Sequence, residues 1–317
     1  MIETLDLTKR YGDKVAVDRL TITVSPGEVT GFLGPNGAGK STTMRMIVGL
    51  DHPTSGYAFL NGKLYRDHRD PLHQVGVLLD VKAMHPGRTA RAQLRAVAAT
   101  QGLRATRVDE VLELTGLAKV ANRRLGKFSL GMSQRLGLAC ALLADPVVLI
   151  LDEPLNGLDP EGVLWVRNLV RDEASRGKTV FLSSHLMSEM ALVADRLVVL
   201  GRGRLLAQER MAQFIAKSSD VAARVRSADV AQLAEVLAGP GVRIDALERG
   251  VIEVHGRSTE EIARTAAEHG WLLSELTAIQ VSLEDAYMKL TQDDVEYGSD
   301  ARSGSARNEA PEQGGWR

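Results

Sequence analysis

The segment at residues 34–41 has the residue types and the spacing of a phosphate-binding loop. Its sequence, Gly-Pro-Asn-Gly-Ala-Gly-Lys-Ser, fits the pattern G-x-x-x-x-G-K-S/T, in which glycines let backbone N–H groups point at phosphate oxygens. In this pattern Lys40 reaches the β- and γ-phosphates of a nucleotide, and the Ser41 hydroxyl helps to hold Mg²⁺. The alternative is a glycine-rich turn with an exposed lysine. The flanking sequence disfavours it, because a strand-like run at 29–33 precedes the loop and a helix-like run at 42–48 follows.

Two adjacent carboxylates follow the apolar run at residues 147–151, which is typical of a buried strand. A carboxylate at the end of such a strand, here Asp152, is placed to hold Mg²⁺ through water. The next carboxylate, Glu153, is placed to polarise an attacking water molecule as a general base. Alone, the two acids could simply be solvated groups at a strand end. Behind a phosphate-binding loop, they predict hydrolysis of a nucleotide phosphate.

A third motif, Phe-Ser-Leu-Gly-Met around Ser129, lies between these two and opens a predicted helix. With the loop and the acidic pair, it makes residues 1–210 resemble an ATP-binding-cassette (ABC) ATPase. The family motif is Leu-Ser-Gly-Gly-Gln, so Ser129 and Gly131 are kept, whereas Leu130 and Met132 replace the first glycine and the glutamine. The resemblance implies that the serine hydroxyl and the glycine N–H touch the γ-phosphate bound to a second subunit. In isolation, the serine could be an ordinary helix N-cap.

The same resemblance assigns roles to three further residues. Tyr11 corresponds to the aromatic residue that stacks on adenine. Asp159, in the sequence Asn-Gly-Leu-Asp, belongs to the loop that crosses the dimer interface, called the D-loop. His185 follows the predicted strand at 179–182 and corresponds to the histidine that contacts the γ-phosphate and orients the water. Without the family context, these residues would be a surface tyrosine, a turn aspartate and a structural histidine.

One position departs from the family pattern. A glutamine normally follows the strand here predicted at 75–79, where it helps to bind Mg²⁺ and to couple the ATPase to a membrane subunit. This chain has Asp80 instead. A carboxylate is also a good ligand for a hard cation, so we expect Asp80 to take the Mg²⁺-side role, either directly or through water, and to alter the coupling. The alternative is a solvated carboxylate that only ends the strand.

The predicted site divides into three roles. The residues expected to take part in hydrolysis are Lys40, Glu153 and His185. The residues expected to hold Mg²⁺ are Ser41, Asp80 and Asp152. The residues expected to contact ATP, within one chain or across a dimer, are Tyr11, Gly34, Pro35, Asn36, Gly37, Ala38, Gly39, Lys40, Ser41, Thr42, Ser129, Gly131 and Asp159.

The element pattern predicts an α/β fold in two parts. Strands alternating with helices indicate a mostly parallel sheet, and the resemblance implies an ABC ATPase domain at 1–215 with a mixed sheet and a helical subdomain at about 85–145. The order βαββαβ within 216–291 predicts a small α+β, ferredoxin-like C-terminal domain, which a helix at 282–290 closes. Residues 292–317 have almost no apolar content and are expected to form a disordered tail.

The composition disfavours a nucleic-acid partner and limits how the chain can act at a membrane. The chain has 317 residues with 39 basic and 40 acidic side chains, and aromatic residues make up 4%, so nothing favours a nucleic-acid partner. Its one cysteine, Cys140, excludes an internal disulfide and favours a reducing, cytoplasmic setting. No run approaches about 18 uncharged apolar residues, so we expect any role at a membrane to require a partner.

The run Ser-Leu-Glu-Asp-Ala-Tyr at residues 282–287 resembles the C-terminal ending of daunorubicin-type drug-resistance ATP-binding subunits. This resemblance implies a motor subunit that binds and hydrolyses ATP with Mg²⁺ for a bacterial exporter of drug-like or other hydrophobic substrates. It implies a head-to-tail homodimer and a separately encoded permease at the inner face of the cell membrane. Two alternatives stay open: a soluble ABC ATPase acting on ribosomes or DNA, and a regulatory ABC module that does not hydrolyse ATP.

Overall fold

The computed structural model describes residues 1–81, 84–218, 222–279 and 282–291, which fold into three β-sheets flanked by helices. The strands are β1 Ile2–Tyr11, β2 Lys14–Val24, β3 Val29–Leu33, β4 Ser55–Leu60, β5 Lys63–Leu64, β6 Val75–Leu78, β7 Val148–Leu151, β8 Thr179–Ser183, β9 Arg196–Gly201, β10 Arg204–Arg210, β11 Ala222–Ser227, β12 Arg243–Glu248, β13 Val251–His255 and β14 Leu273–Ile279. The helices are α1 Lys40–Ile47, α2 Pro71–Gln74, α3 Ala90–Thr100, α4 Ala105–Leu114, α5 Leu130–Leu142, α6 Pro160–Ser175, α7 Met187–Val193, α8 Met211–Ser218, α9 Val230–Leu237, α10 Thr259–Glu268 and α11 Leu283–Thr291.

The central sheet has six strands in the order β10-β9-β3-β8-β7-β6. The five strands from β9 to β6 are parallel to their neighbours, and β10 pairs antiparallel with β9. Strand β7 is buried on both faces: Leu149 and Leu151 face one apolar cluster, and Val148 and Ile150 face another. A strand buried on both faces needs the near-continuous apolar sequence found here. The predicted mixed sheet of an α/β fold is therefore confirmed.

A second sheet, ordered β2-β1-β4-β5, is wholly antiparallel and forms another layer over α1. Its buried side chains, such as Ile2 and Leu20, share one apolar cluster with Met44 of α1 and Phe32 of β3. The ring of Phe32 lies 4.7 Å from the ring of Phe181 on the neighbouring strand β8. This packing fixes α1, and the loop that precedes it, against the end of the central sheet.

Helices α3, α4 and α5 form a separate helical layer beside strand β6. Leu94, Val108 and Leu112 are fully buried between the three helices, as their spacing in the sequence predicts. On α5, Gly137 lies so close to Leu78 of β6 that any larger side chain would overlap it. This close approach connects the helical layer to the strand that runs beside β7.

The C-terminal sheet has the order β12-β13-β11-β14, and every neighbouring pair in it is antiparallel. Helices α9 and α10 cover one face, where Val225, Leu233, Val254 and Ile262 are buried together. The element order β11-α9-β12-β13-α10-β14 is the ferredoxin-like order that the sequence predicts.

The prediction that the helix at 282–290 closes this C-terminal unit is wrong. Helix α11 instead packs against α7 and α8, and Leu283, Ala286 and Tyr287 join the apolar cluster of the central sheet. The sequence shows that the helix has an apolar face, but periodicity alone does not say which surface covers that face.

The predicted tail at 292–317 lies outside the described residues. Among the residues that the structure describes, no helix has the length and apolar character needed to cross a membrane.

The Tyr287 hydroxyl is buried and makes no hydrogen bond to any residue that the structure describes, and burial raises the pKa of this phenol to about 12. A buried polar group without a partner is destabilising. We therefore expect Tyr287→Phe to stabilise the fold by about 1 kcal/mol, or roughly 2 °C in the thermal midpoint. Differential scanning calorimetry would measure this shift. Tyr57→Phe is the control, since Tyr57 is 56% exposed and should change little; a lower midpoint for the Tyr287 variant would contradict the prediction.

Candidate functional site

The predicted phosphate-binding loop connects β3 to α1, at the end of the central sheet. Gly39 is the N-cap of α1 and has a left-handed φ of 103°. A Cβ atom at this position would lie 2.5 Å from the carbonyl oxygen of Ala16, so only glycine fits. The N–H groups at the start of α1 therefore open onto the space in front of the loop, where the helix dipole favours an anion.

Lys40 begins α1 and is 8% exposed. Its Nζ atom donates to the carbonyl oxygens of Gly34 at 2.6 Å and Pro35 at 3.2 Å. Burial lowers the pKa of Lys40, while the nearby carboxylates of Glu153 and Asp152 oppose that shift. The loop thus holds a desolvated cation at its centre, which is the arrangement that a phosphate-binding lysine requires.

Asp152 follows the end of β7, and its carboxylate accepts hydrogen bonds from two hydroxyl groups. Ser41 Oγ donates to Asp152 Oδ2 at 2.6 Å, and Ser183 Oγ donates to Asp152 Oδ1. The structure therefore brings Ser41 and Asp152 together, as predicted from the sequence. Ser183 was not among the predicted site residues. Its position was a usable signal, because Ser183 ends the strand that runs parallel to β7 and so meets Asp152 at the same sheet edge.

Glu153 and His185 form the second pair in the site. His185 Nδ1 lies 2.8 Å from Glu153 Oε2, and the backbone N–H of His185 donates to the same oxygen at 3.3 Å. Glu153 has a φ of 50°, a left-handed conformation that is costly for a residue with a side chain. Strain of this kind persists only where the surrounding structure enforces it. The predicted base and the predicted orienting histidine are in direct contact.

Lys40, Asp152 and Glu153 border one open cleft of about 230 Å³, which we call the nucleotide cleft; His185 reaches it through its contact with Glu153. Its lining residues are Ala16, Asn36, Gly37, Gly39, Lys40, Ser41, Thr42, Asp152 and Glu153. Of the other predicted loop residues, Gly34 and Pro35 contribute carbonyl oxygens to Lys40, and Ala38 is buried below the loop.

Tyr11 lies at the end of β1, beside α1, and is half-exposed. Its hydroxyl donates to Asp51 Oδ2 at 3.1 Å, and its ring lies 5.0 Å from Lys9 Nζ. Partial burial and the bond to the Asp51 carboxylate raise the pKa of Tyr11, and a contact with Thr42 in the first turn of α1 opposes the shift. The aromatic ring is therefore next to the helix that begins at the phosphate-binding loop.

Ser129 and Asp159 both cap helices in this chain. Ser129 Oγ accepts the N–H of Met132 at 3.2 Å at the start of α5, and Asp159 Oδ1 accepts the N–H of Gly162 at 3.0 Å at the start of α6. Neither residue lines the nucleotide cleft of its own chain, and neither does Gly131. The ordinary N-cap interpretation of Ser129 is thus correct within a single chain.

The motif at residues 128–132, which we call the signature segment and which opens the signature helix α5, packs against the D-loop. Leu130, which replaces the first signature glycine, lies directly on Gly157, where any Cβ atom would overlap its side chain. Gly157 has a φ of 71°, and a Cβ atom added at Gly131 would lie 2.9 Å from its carbonyl oxygen. The leucine and the D-loop glycine therefore fit one another, which the sequence pattern alone did not indicate.

Asp80 is exposed and lies two residues beyond β6, which ends at Leu78 rather than at the predicted residue 79. The carbonyl oxygen of Leu78 accepts the N–H of Asp152 at 2.7 Å, so the end of β6 is bonded to the acidic pair. Asp80 itself does not line the nucleotide cleft.

Comparison with known sequences places this geometry in a family. The sequence pattern of the ABC transporter family matches residues 17–156, and a domain of unknown function matches residues 221–284. The bacitracin transport ATP-binding protein BcrA of Bacillus licheniformis is 38% identical, over 92% of this chain and 97% of its own length. The Nod factor export ATP-binding protein I of Burkholderia pseudomallei is 41% identical, over 65% of this chain and 70% of its own length.

Solved structures share the same fold. An ATP-binding subunit of an ABC transporter superposes with a TM-score of 0.63 at 27% identity, covering 68% of this chain and 92% of its own. A dimeric bacterial ABC transporter cassette gives a TM-score of 0.61 at 25% identity, covering 67% and 99%. Because similarity to an ABC transporter ATP-binding protein extends over nearly the whole chain, this protein belongs to the ABC transporter ATP-binding family, whose members bind and hydrolyse ATP.

Proposed function

We propose that this chain is the motor subunit of an ABC exporter that moves a drug-like or other hydrophobic substrate through a separately encoded permease. The observation that carries the proposal is the joint assembly of Lys40, Asp152, Glu153 and His185 at one edge of the central sheet. Relatives named for bacitracin transport and for Nod factor export support the exporter class. The assembled hydrolytic groups disfavour a regulatory module without ATPase activity.

Hydrolysis in this site is mainly a matter of positioning and charge stabilisation. Lys40 and the N–H groups of the loop bind the β- and γ-phosphates of ATP. Glu153 accepts a proton from the attacking water, and His185, held by the Glu153 carboxylate, contacts the γ-phosphate and orients that water. Tyr11 stacks on adenine beside α1.

The residues around Asp152 fit a magnesium ion. The Ser41 hydroxyl and the Asp152 carboxylate present neighbouring hard oxygen donors, which is the ligand type that Mg²⁺ prefers. Ser41 and Asp152 would hold the ion, with Asp80 contributing through water. When bound, Mg²⁺ would supply charge neutralisation at the β- and γ-phosphates.

Asp80→Ala tests the departure from the family glutamine. We expect about a tenfold increase in the Mg²⁺ concentration needed for half-maximal ATPase activity, since residues that act on a metal through its bound water typically change affinity by about that factor. The measurement is a Mg²⁺ titration at saturating ATP. Asp67→Ala, at an exposed carboxylate in a 3₁₀ turn, is the control. An unchanged rate and unchanged Mg²⁺ dependence in the Asp80 variant would remove Asp80 from the site.

The functional unit that we propose is a head-to-tail homodimer. Ser129 and Gly131 of one chain complete the nucleotide cleft of the other, and the segment around Asp159 crosses the interface. Two features support this arrangement: the signature and D-loop residues lie outside their own cleft, and they form one packed surface through Leu130 and Gly157. A related cassette of the same fold is dimeric.

An apolar groove beside the signature helix is the proposed docking site for the permease, which would place the motor at the inner face of the membrane. The groove has a volume of about 360 Å³ and lies between the segment after β6 and the helical layer. Its apolar lining includes Val81, Met84, Leu125, Phe128, Leu130 and Leu136. A short cytoplasmic segment of a permease fits such a groove by burying apolar side chains.

Membrane copurification tests this function. A tagged Glu153→Gln variant, expressed in the native host and held with ATP, should copurify from solubilised membranes with a stoichiometric polytopic permease. A tagged variant with the change Val81→Glu, which introduces a charge into the apolar groove, should lose the permease but keep ATP binding. Recovery of ribosomal proteins or DNA-processing factors without a permease would instead favour the soluble ABC ATPase class.

A further inference from the structure

A buried glutamine joins the signature helix to the acidic pair. Gln134 lies on α5 and is 4% exposed. Its Nε2 atom donates to the backbone carbonyl oxygen of Glu153 at 2.9 Å. Glutamine side chains are mostly exposed in proteins, so a buried side-chain amide bonded to the backbone of a catalytic segment requires a physical reason.

The peptide groups of Glu153 are held from two directions. Its N–H donates to Ser183 Oγ at 2.9 Å, and its carbonyl oxygen accepts from Gln134 and from the backbone N–H of Asn156 at 3.2 Å. Between these bonds, the backbone of Glu153 adopts its left-handed φ of 50°. A residue other than glycine leaves this conformation unless neighbouring bonds hold it there. Among the described residues, Ser183 and Gln134 supply the side-chain bonds to this peptide, beside the backbone bond from Asn156.

We propose that Gln134 is a positioning residue for ATP hydrolysis, which fixes the Glu153 peptide so that its carboxylate meets His185. The proposal rests on the assignment of Glu153 as the general base. The proposal also explains why an amide is buried here. Packing alone does not require one, because an apolar side chain of similar length would fill the same space.

The position of Gln134 along α5 adds a connection between the two nucleotide sites of a dimer. Ser129 caps the same helix five residues earlier, about 7.5 Å along the helix axis. In the proposed dimer, Ser129 faces the γ-phosphate bound by the other chain. A shift of α5 on closure of that site therefore reaches the backbone of Glu153 through one rigid helix and one hydrogen bond.

Two substitutions separate positioning from packing. Gln134→Met keeps the length of the side chain and removes the donor, and Gln134→Glu keeps the shape and replaces the donor by an acceptor. In the purified full-length protein, we expect kcat for ATP hydrolysis to fall about tenfold to a hundredfold, with KM for ATP changed less than about twofold. Gln93→Met is the matched control, since Gln93 pairs with Arg88 in the helical layer.

A double-mutant cycle shows whether Gln134 acts through Glu153. In the Glu153→Gln background, Gln134→Met should lower the residual single-turnover rate by less than about twofold, because the group that it positions is already disabled. An equal fold-loss in both backgrounds would overturn the proposal. A lower thermal midpoint with a raised KM would also overturn it, because that pattern indicates a structural role.

The same experiment distinguishes this proposal from the proposed function. It uses basal ATPase activity without a permease, so a failure to copurify a permease leaves the cycle intact. If Glu153→Gln alone keeps wild-type turnover, the assignment of the base is wrong and the positioning role is overturned with it. If Glu153→Gln is inactive and Gln134→Met is fully active, only the positioning role fails.

Discussion

Glu153→Gln is expected to lower the rate of ATP hydrolysis about 10²- to 10⁴-fold while ATP binding is kept, which is the usual contribution of a general base. The amide has the shape of the carboxylate and still offers an oxygen to His185, whose Nδ1 atom lies 2.8 Å from Glu153 Oε2 in the wild-type chain. It has no basic site for the proton of the attacking water. Lys40 and the loop that bind the phosphates are not altered.

Single-turnover hydrolysis and equilibrium nucleotide binding measure the two effects separately. If ATP closes a head-to-tail dimer, the variant should also accumulate as an ATP-dependent dimer, visible by size-exclusion chromatography with light scattering. Glu113→Gln, at an exposed carboxylate on α4, controls for the loss of one charge and should behave as wild type. Wild-type turnover in the Glu153 variant would remove Glu153 from the role of base.

The parts of the site that the sequence predicts are those encoded in local patterns. The loop motif, the acidic pair after an apolar strand and the histidine after the next strand each have a signal within a few residues. Parallel strands then bring their ends together, so Asp152 and His185 reach the same sheet edge although they lie far apart in the chain. Topology, rather than proximity in sequence, turns these separate motifs into one site.

The parts that were missed depend on side-chain contacts between elements. Gln134 has an ordinary sequence context, and Ser183 has a signal only in its position at the end of a predicted strand. The folded chain places both on the acidic pair. The packing of Leu130 on Gly157 is also a contact between two motifs that neither motif shows by itself. Helix α11 is a similar case. Its apolar face could pack on several surfaces, and only the folded structure shows that it packs on the core of the central sheet.

Lys40→Met is expected to reduce ATP affinity about 30-fold or more, since loss of one partner from a buried, hydrogen-bonded charge pair costs about 2 kcal/mol or more. Lys40 is 8% exposed and its ammonium group is bonded to two loop carbonyl oxygens, so a phosphate meets a cation that is already positioned and poorly solvated. Isothermal titration with a non-hydrolysable ATP analogue measures the change. Lys63→Met, on the exposed strand β5, is the matched control.

The same substitution should not destabilise the fold, which separates a binding lysine from a structural one. Burial lowers the pKa of Lys40 below its ordinary value of 10.5, so the unfolded chain binds more protons than the folded chain between these two pKa values. Wild-type stability therefore rises with pH through that window, and at lower pH the folded state carries the full cost of the buried charge. Lys40→Met removes that cost. Its thermal midpoint at pH 7 should equal or exceed that of the wild type, and it should lose the alkaline gain. The prediction fails if the thermal midpoint of the variant is several degrees lower and its stability still rises at alkaline pH. That result would show that Lys40 stabilises the loop instead of being kept as a charged group for nucleotide binding.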